Sequence, residues 1–366
     1  MVRLTQVLDR DPAVQRLYYD PGVGTLPEPG VLTALGMRIS EWIDLAFGTG
    51  LIGKVQSAYS YLMDVWEPGD RVFLFGFSRG AYTVRVLAGV LHALGLLPRG
   101  NGNLVPYVMR LFKAVRKEGT PEAAGAEPGY WKLCNEFRWT FARPVPGAGD
   151  SRRFGVHFLG VWDTVSSVGW VWDPATFPYT ARNPSIHVIR HAVSVDERRS
   201  FFRQNLMQPA DGQDFQELWF PGVHADVGGG YPDTVQDGGL WRLPFQWILD
   251  QAQKAGLRVD PHRLHKVLNR TLPSPSPWTD RQHESLTPAW WPAEFFPKLR
   301  WRPGSSWRVP QMGLGRHRFI HEQALMHRST LLRIREIDYA PPNFSQKFLD
   351  KVRGLAVVPD ALPFER

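Results

Sequence analysis

The chain has 366 residues, 43% of them hydrophobic, enough for a packed core in one large α/β domain or two ordinary ones. Its single cysteine, Cys134, excludes an internal disulfide, no apolar run reaches the roughly 18 residues of a membrane helix, and residues 1–6 lead to Asp9 and Asp11 rather than a signal-peptide core. A formal charge of +8 suits an anionic partner such as a phospholipid surface, yet no Lys/Arg run is dense enough for a nucleic-acid arm, so the expectation is a globular protein made in the cytoplasm.

Residues 2–10 have the pattern of a helix end, and residues 14–20 that of a strand ending in the tight loop 21–25. An amphipathic piece covers 32–45. Residues 54–66 place Val55, Ala58, Tyr59 and Leu62 on one helical face, and Glu67-Pro68-Gly69-Asp70 stops that helix. There follow an apolar run, Val72-Phe73-Leu74-Phe75, the turn Gly76-Phe77-Ser78-Arg79-Gly80, and helical spacing at Val84, Leu87, Ala88, Leu91 and Leu94. That is strand, tight turn, helix.

Residues 104–117 form a basic amphipathic helix, best explained as a solvated cationic face over an apolar stripe. With a small-residue linker at 121–128 it makes an insertion of about 100–150 above the sheet. Strands are predicted at 154–161, 186–195 and 217–220, and helices at 240–255 and 262–268. Beyond Thr271 the chain is rich in Pro, Trp and Ser; a last helix is expected at 319–335, then an irregular tail. Strands alternating with helices predict an α/β fold, a mostly parallel sheet covered by helices. The expected organisation is a catalytic domain over 1–270 with a C-terminal extension, 271–366, packed on it.

Glycines two positions either side of Ser78 fit a nucleophile elbow, in which a strained serine is pushed out at the carboxyl edge of a sheet and neighbouring side chains would collide. A serine hydroxyl needs a base for its proton and an acid to orient that base, and later strand ends supply both. His224, in the glycine-rich run after the 217–220 strand, is the preferred base, and His321 the alternative. Asp163, at the end of the 154–161 strand, is the preferred acid, with Asp196 at the next strand end as alternative. Asp226 reads as a loop-bracing or capping carboxylate. His157, His187 and His191 lie within strands and read as core or face residues. A metal site built on His224 and Asp226 would leave the elbow unexplained, and neither metal nor other cofactor is expected.

The segments GFSRGAYTVRVLAG, FLGVWDTVSSVG, HAVSVDERRSFF and LWFPGVHADVGGGY, with YYDPGVGT near the start, occur in this order. Together they resemble the α/β-hydrolase family whose best-understood members are phospholipase effectors of bacterial type VI secretion. The resemblance covers about residues 2–260. It implies an esterase acting on glycerophospholipids through an acyl-enzyme, with Ser78 as nucleophile, Asp163 as acid, His224 as base and the backbone N–H of Arg79 as an oxyanion donor. It also implies secretion-machinery and immunity partners and delivery by type VI secretion. Family members open with a strand ending in Asp-Gly-Thr, which this sequence lacks, so a mis-started or truncated reading is expected, with a second oxyanion donor missing. The alternatives are a weakly active, membrane-associated binding protein and a small-ester esterase.

Overall fold

The computed structural model describes residues 1–21, 50–114, 128–165, 169–170, 173–174, 177–231, 239–269, 276–295, 297–301 and 308–366. The amphipathic piece at 32–45 and nearly all of the linker at 121–128 lie outside the described residues.

Five strands run parallel in the order of the chain: β1 (Phe73–Phe77), β2 (Val156–Trp162), β3 (Ile186–Ser194), β4 (Asp214–Phe220) and β5 (Leu325–His327). A sixth, β6 (Ala361–Pro363), adds antiparallel to β5. The register Phe77↔Trp162, Trp162↔Ala192 and Ser194↔Phe220 brings the carboxyl ends of β1 to β4 to one edge. Two short ladders, 169–170 with 173–174 and 298–301 with 308–311, stand apart from this sheet.

Helices cover both faces. On one side, α2 (Gly50–Val65), α3 (Arg79–Leu94), α4 (Val105–Ala114) and α5 (Pro128–Phe141) pack Tyr59, Tyr82, Leu91 and Phe112 against Leu159, Val161 and Ile189. On the other, α1 (Val2–Val7), α7 (Arg242–Lys254) and α8 (Pro261–Leu268) pack Leu4, Ile248 and Leu249 against Phe158, Trp162 and Leu218. Between β4 and α7, the short α6 (His224–Gly228) sits at the sheet edge. Alternate residues of β2 thus enter opposite cores, as a parallel strand buried on both faces requires. Each fully buried Phe among them contributes about 1.5–3 kcal/mol. At Gly160 a Cβ would come within 2.8 Å of Ile248 and of the Phe75 ring, so glycine lets α7 approach the sheet.

After α9 (Trp291–Glu294), the C-terminal part is more regular than its composition suggests. Instead of one helix over 319–335, β5 joins the sheet and α10 (Arg328–Glu336) begins after it. His327 sets that boundary: its backbone is extended and its ring accepts a hydrogen bond from the Ser329 N–H. α11 (Gln346–Arg353) and β6 follow, giving a third core of Trp219, Met326, Leu331, Phe348 and Phe364.

The strand expected at 14–20 does not form. Val14, Leu17, Tyr18 and Tyr19 stay 37–57% exposed, so the alternation serves no buried face. The segment is instead a strap, with Arg16 donating to the Val65 carbonyl, Gln15 bonded to Asp9 and Arg258, and Tyr18 against the Tyr61 ring at 4.8 Å. Among the described residues no helix is long and apolar enough to cross a membrane.

Candidate active site

Ser78 follows the last residue of β1 and caps α3 with φ 58° and ψ −126°, a conformation that non-glycine residues rarely hold. Its N–H donates to the Trp162 carbonyl at 3.1 Å, and its own carbonyl accepts from Ala81 at 3.1 Å and Val165 at 3.4 Å. Tertiary bonds therefore hold the strained turn. The two flanking glycines are not equivalent. A Cβ on Gly76 would meet the Gly80 carbonyl oxygen at 2.5 Å and Ala81 backbone at 2.6 Å, whereas a Cβ on Gly80 would point into open space. The collision expected on both sides is thus confined to Gly76. Arg79 opens α3, where first-turn N–H groups look out of the helix toward Ser78.

Asp163 continues β2 past its end at φ 38°, its N–H bonded to the Ala192 carbonyl at 2.7 Å. His224 begins α6, four residues beyond β4. His224 Nε2 lies 2.8 Å from Ser78 Oγ, and Nδ1 lies 2.5 Å from Asp163 Oδ2. Facing an ionised carboxylate, Nδ1 carries the proton and Nε2 presents its lone pair to the serine hydroxyl. The imidazole is bracketed by the rings of Phe77 at 4.6 Å and Phe202 at 4.8 Å.

The Asp163 carboxylate is fully buried, which on its own would raise its pKa. The Arg318 guanidinium, with the bond from His224, overrides burial and holds it well below the usual carboxylate range. Glu197, also fully buried, accepts from the His224 N–H at 3.1 Å and from the Arg199 side chain at 2.9 and 3.0 Å. Burial pushes its pKa up, but Arg199 outweighs that and keeps it lowered.

The other candidates lie elsewhere. Asp196, one strand further along the sheet edge, accepts from the Tyr339 hydroxyl and from the Gly222 N–H, both at 2.6 Å, and burial pushes its pKa up to about 6. His321 is exposed in the turn before β5. Asp226 braces the start of α6 through the Val223 N–H and pairs with His283 at 2.6 Å, so it turns away from His224's ring. His191 pairs with Glu217 at 2.8 Å inside the sheet, and His157 bonds the Ala255 carbonyl. Reasoning from sequence missed Arg318, Glu197 and Phe202. Glu197 directly follows Asp196 at a predicted strand end, whereas nothing in the residues around Arg318 sets it apart from the chain's other arginines.

A mostly parallel, helix-flanked sheet with these side chains at its carboxyl edge defines an α/β fold of the hydrolase type. The profile of the family described as "T6SS, Phospholipase effector Tle1-like, catalytic domain" matches residues 1–251, and the chain belongs to that family. The uncharacterized protein YEL023C of Saccharomyces cerevisiae is 34% identical over 215 residues, which make up 57% of this chain and 30% of that protein. The chain thus spans less than a third of that curated relative. Two solved structures share 20% identity with it. One is an uncharacterized protein from Pseudomonas aeruginosa (TM-score 0.32, 63% of this chain and 29% of that one). The other is the Tle1 effector bound to the VgrG spike of the type VI secretion system (TM-score 0.28, 54% and 33%).

Proposed function

We propose that this chain is a serine esterase that cleaves ester bonds of glycerophospholipids through an acyl-enzyme. The observation that carries the reading is the continuous chain Ser78 Oγ, His224 imidazole, Asp163 carboxylate, with contacts of 2.8 and 2.5 Å. Membership of a phospholipase-effector family supports the substrate class. As Ser78 Oγ attacks the ester carbonyl carbon, its proton passes to His224 Nε2, and Asp163 steadies the imidazolium that forms. The oxyanion meets the Arg79 N–H and the positive end of α3. His224 then returns the proton to the departing alcohol, leaving Ser78 acylated. Water, deprotonated by the same nitrogen, releases the fatty acid and restores the serine.

The formal charge of +8 favours adsorption to anionic lipid. The family also supports export through a type VI apparatus, with a secretion partner and an immunity protein, as this protein's setting. The test is fatty-acid release from anionic and zwitterionic phospholipid vesicles by the purified chain and its Ser78→Ala variant. Loss of Ser78 is expected to lower kcat by about 10⁴-fold or more with the fold intact. A folded Ser78→Ala variant with undiminished release refutes the mechanism.

A further inference from the structure

We infer that Arg318 is a positioning residue of the Ser78–His224–Asp163 site, so that the C-terminal segment, beyond the residues matched by the family profile, completes the active centre. The inference rests on the serine-esterase reading. Arg318 meets Asp163 end-on: Nη1 lies 2.5 Å from Oδ1 and Nη2 2.9 Å from Oδ2. Nη1 also donates to the Ser194 carbonyl and hydroxyl at 3.2 and 2.9 Å, and Nη2 to the Phe202 carbonyl. The guanidinium is buried, and its own backbone carbonyl accepts from Asn343, whose amide also bonds the Val195 carbonyl. Two parallel N–H bonds fix the plane of a carboxylate as well as its position. That plane aims Oδ2 at His224 Nδ1, while the Ser194 N–H holds Oδ1 at 2.9 Å.

The arrangement also sets charge. Two carboxylates bond His224, and each has a partner: Asp163 has Arg318 and Glu197 has Arg199, while Asp226, on the same helix but turned from the ring, pairs with His283. Phe77 and Phe202 close the faces of the ring. With Arg318 in place, the imidazolium formed during catalysis faces a balanced pair. Without it, the imidazolium becomes, among the described residues, the close counter-charge left to a buried carboxylate and is stabilised in the resting enzyme, which silences the base at low pH.

The test compares wild type, Arg318→Ala, Arg318→Lys and Ser78→Ala on a soluble short-chain ester, measuring kcat, KM and the pH profile of kcat/KM. Arg318→Ala is expected to lose about 100-fold in kcat with KM little changed, short of the roughly 10⁴-fold cost of losing the orienting acid itself. The acid limb of its profile moves up by about one pH unit, and added guanidinium ion recovers part of the rate. Arg318→Lys keeps the charge without the fork, so its acid limb stays near that of wild type while kcat falls to an intermediate value. Should Arg318→Ala fail to fold, Arg318→Lys decides: a kcat equal to wild type overturns the positioning role. A folded Arg318→Ala with wild-type kcat and an unmoved acid limb, while Ser78→Ala is dead, also overturns it. An active Ser78→Ala instead removes the esterase reading on which it stands.

Discussion

Replacing each glycine of the elbow in turn by alanine should give opposite results. At position 76 the new methyl would lie 2.5 Å from the Gly80 carbonyl oxygen and 2.6 Å from the Ala81 nitrogen and Cα, about 1 Å inside ordinary contact. All three atoms are backbone, and the Ala81 N–H is bonded to the Ser78 carbonyl at 3.1 Å, so no side chain can swing away. Overpacking costs typically about 1–3 kcal/mol, and this rigid case belongs at the upper end, about 3 kcal/mol. At position 80 the methyl enters open space on a helical residue. There alanine is favoured over glycine by up to about 1 kcal/mol. Urea unfolding followed by tryptophan fluorescence should therefore place the two variants about 3–4 kcal/mol apart, with Gly76→Ala also losing ester hydrolysis because Ser78 must move. Equal stabilities within about 1 kcal/mol would refute the steric account of this turn.

Two buried groups should give pH-dependent stability of opposite sign. Burial raises Asp196 from 3.8 to about 6, so its contribution is full below pH 3.8 and is lost as pH rises through 6. At about 1.4 kcal/mol per pH unit, Asp196→Asn should gain on wild type by up to about 3 kcal/mol between pH 4 and pH 7 in urea midpoints, and a constant difference would sink the assignment. Burial lowers His327 from 6.5 to about 4, so its contribution is present above pH 6.5 and fades as pH falls toward 4. His327→Asn, which keeps a side chain able to cap α10, should therefore unfold less steeply with acid than wild type, and parallel curves would count against it. Because the two windows overlap, and His92, lowered to about 3 by burial, also contributes there, wild type alone mixes these contributions and the variants separate them.

Local patterns made much of this molecule legible. The apolar run at 72–75 and the helical spacing after Ser78 are short-range signals, and they place β1, the turn and α3 to within a few residues. Asp163 and His224 could be chosen because parallel strands deliver polar residues to one edge. Asp163 is already the preferred acid from its strand end, although Asp196 also follows an apolar strand, and it is Asp163 whose Oδ2 lies 2.5 Å from the imidazole Nδ1. Arg318 was out of reach, because its meaning comes from a contact across 155 positions and its surroundings have no period or motif. β5 and β6 have three residues each, too few for an alternation to register, and they exist because β4 offers an edge to β5, which in turn offers one to β6. The tyrosines at 18 and 19 misled in the opposite way: β-forming side chains make a strand only where a neighbouring edge and a buried face await them.

The pairing of Asp163 with Arg318 also bears on the order in which the chain is made. A ribosome adding about 5–20 residues per second needs on the order of 8–30 s to pass from one partner to the other. Throughout that interval a nascent chain already holds the serine, the carboxylate and, later, the histidine, but not the cation that balances them. In the proposed site Asp163 therefore waits for its charge partner until Arg318 has been made, and chains released before that point carry the elbow without that guanidinium.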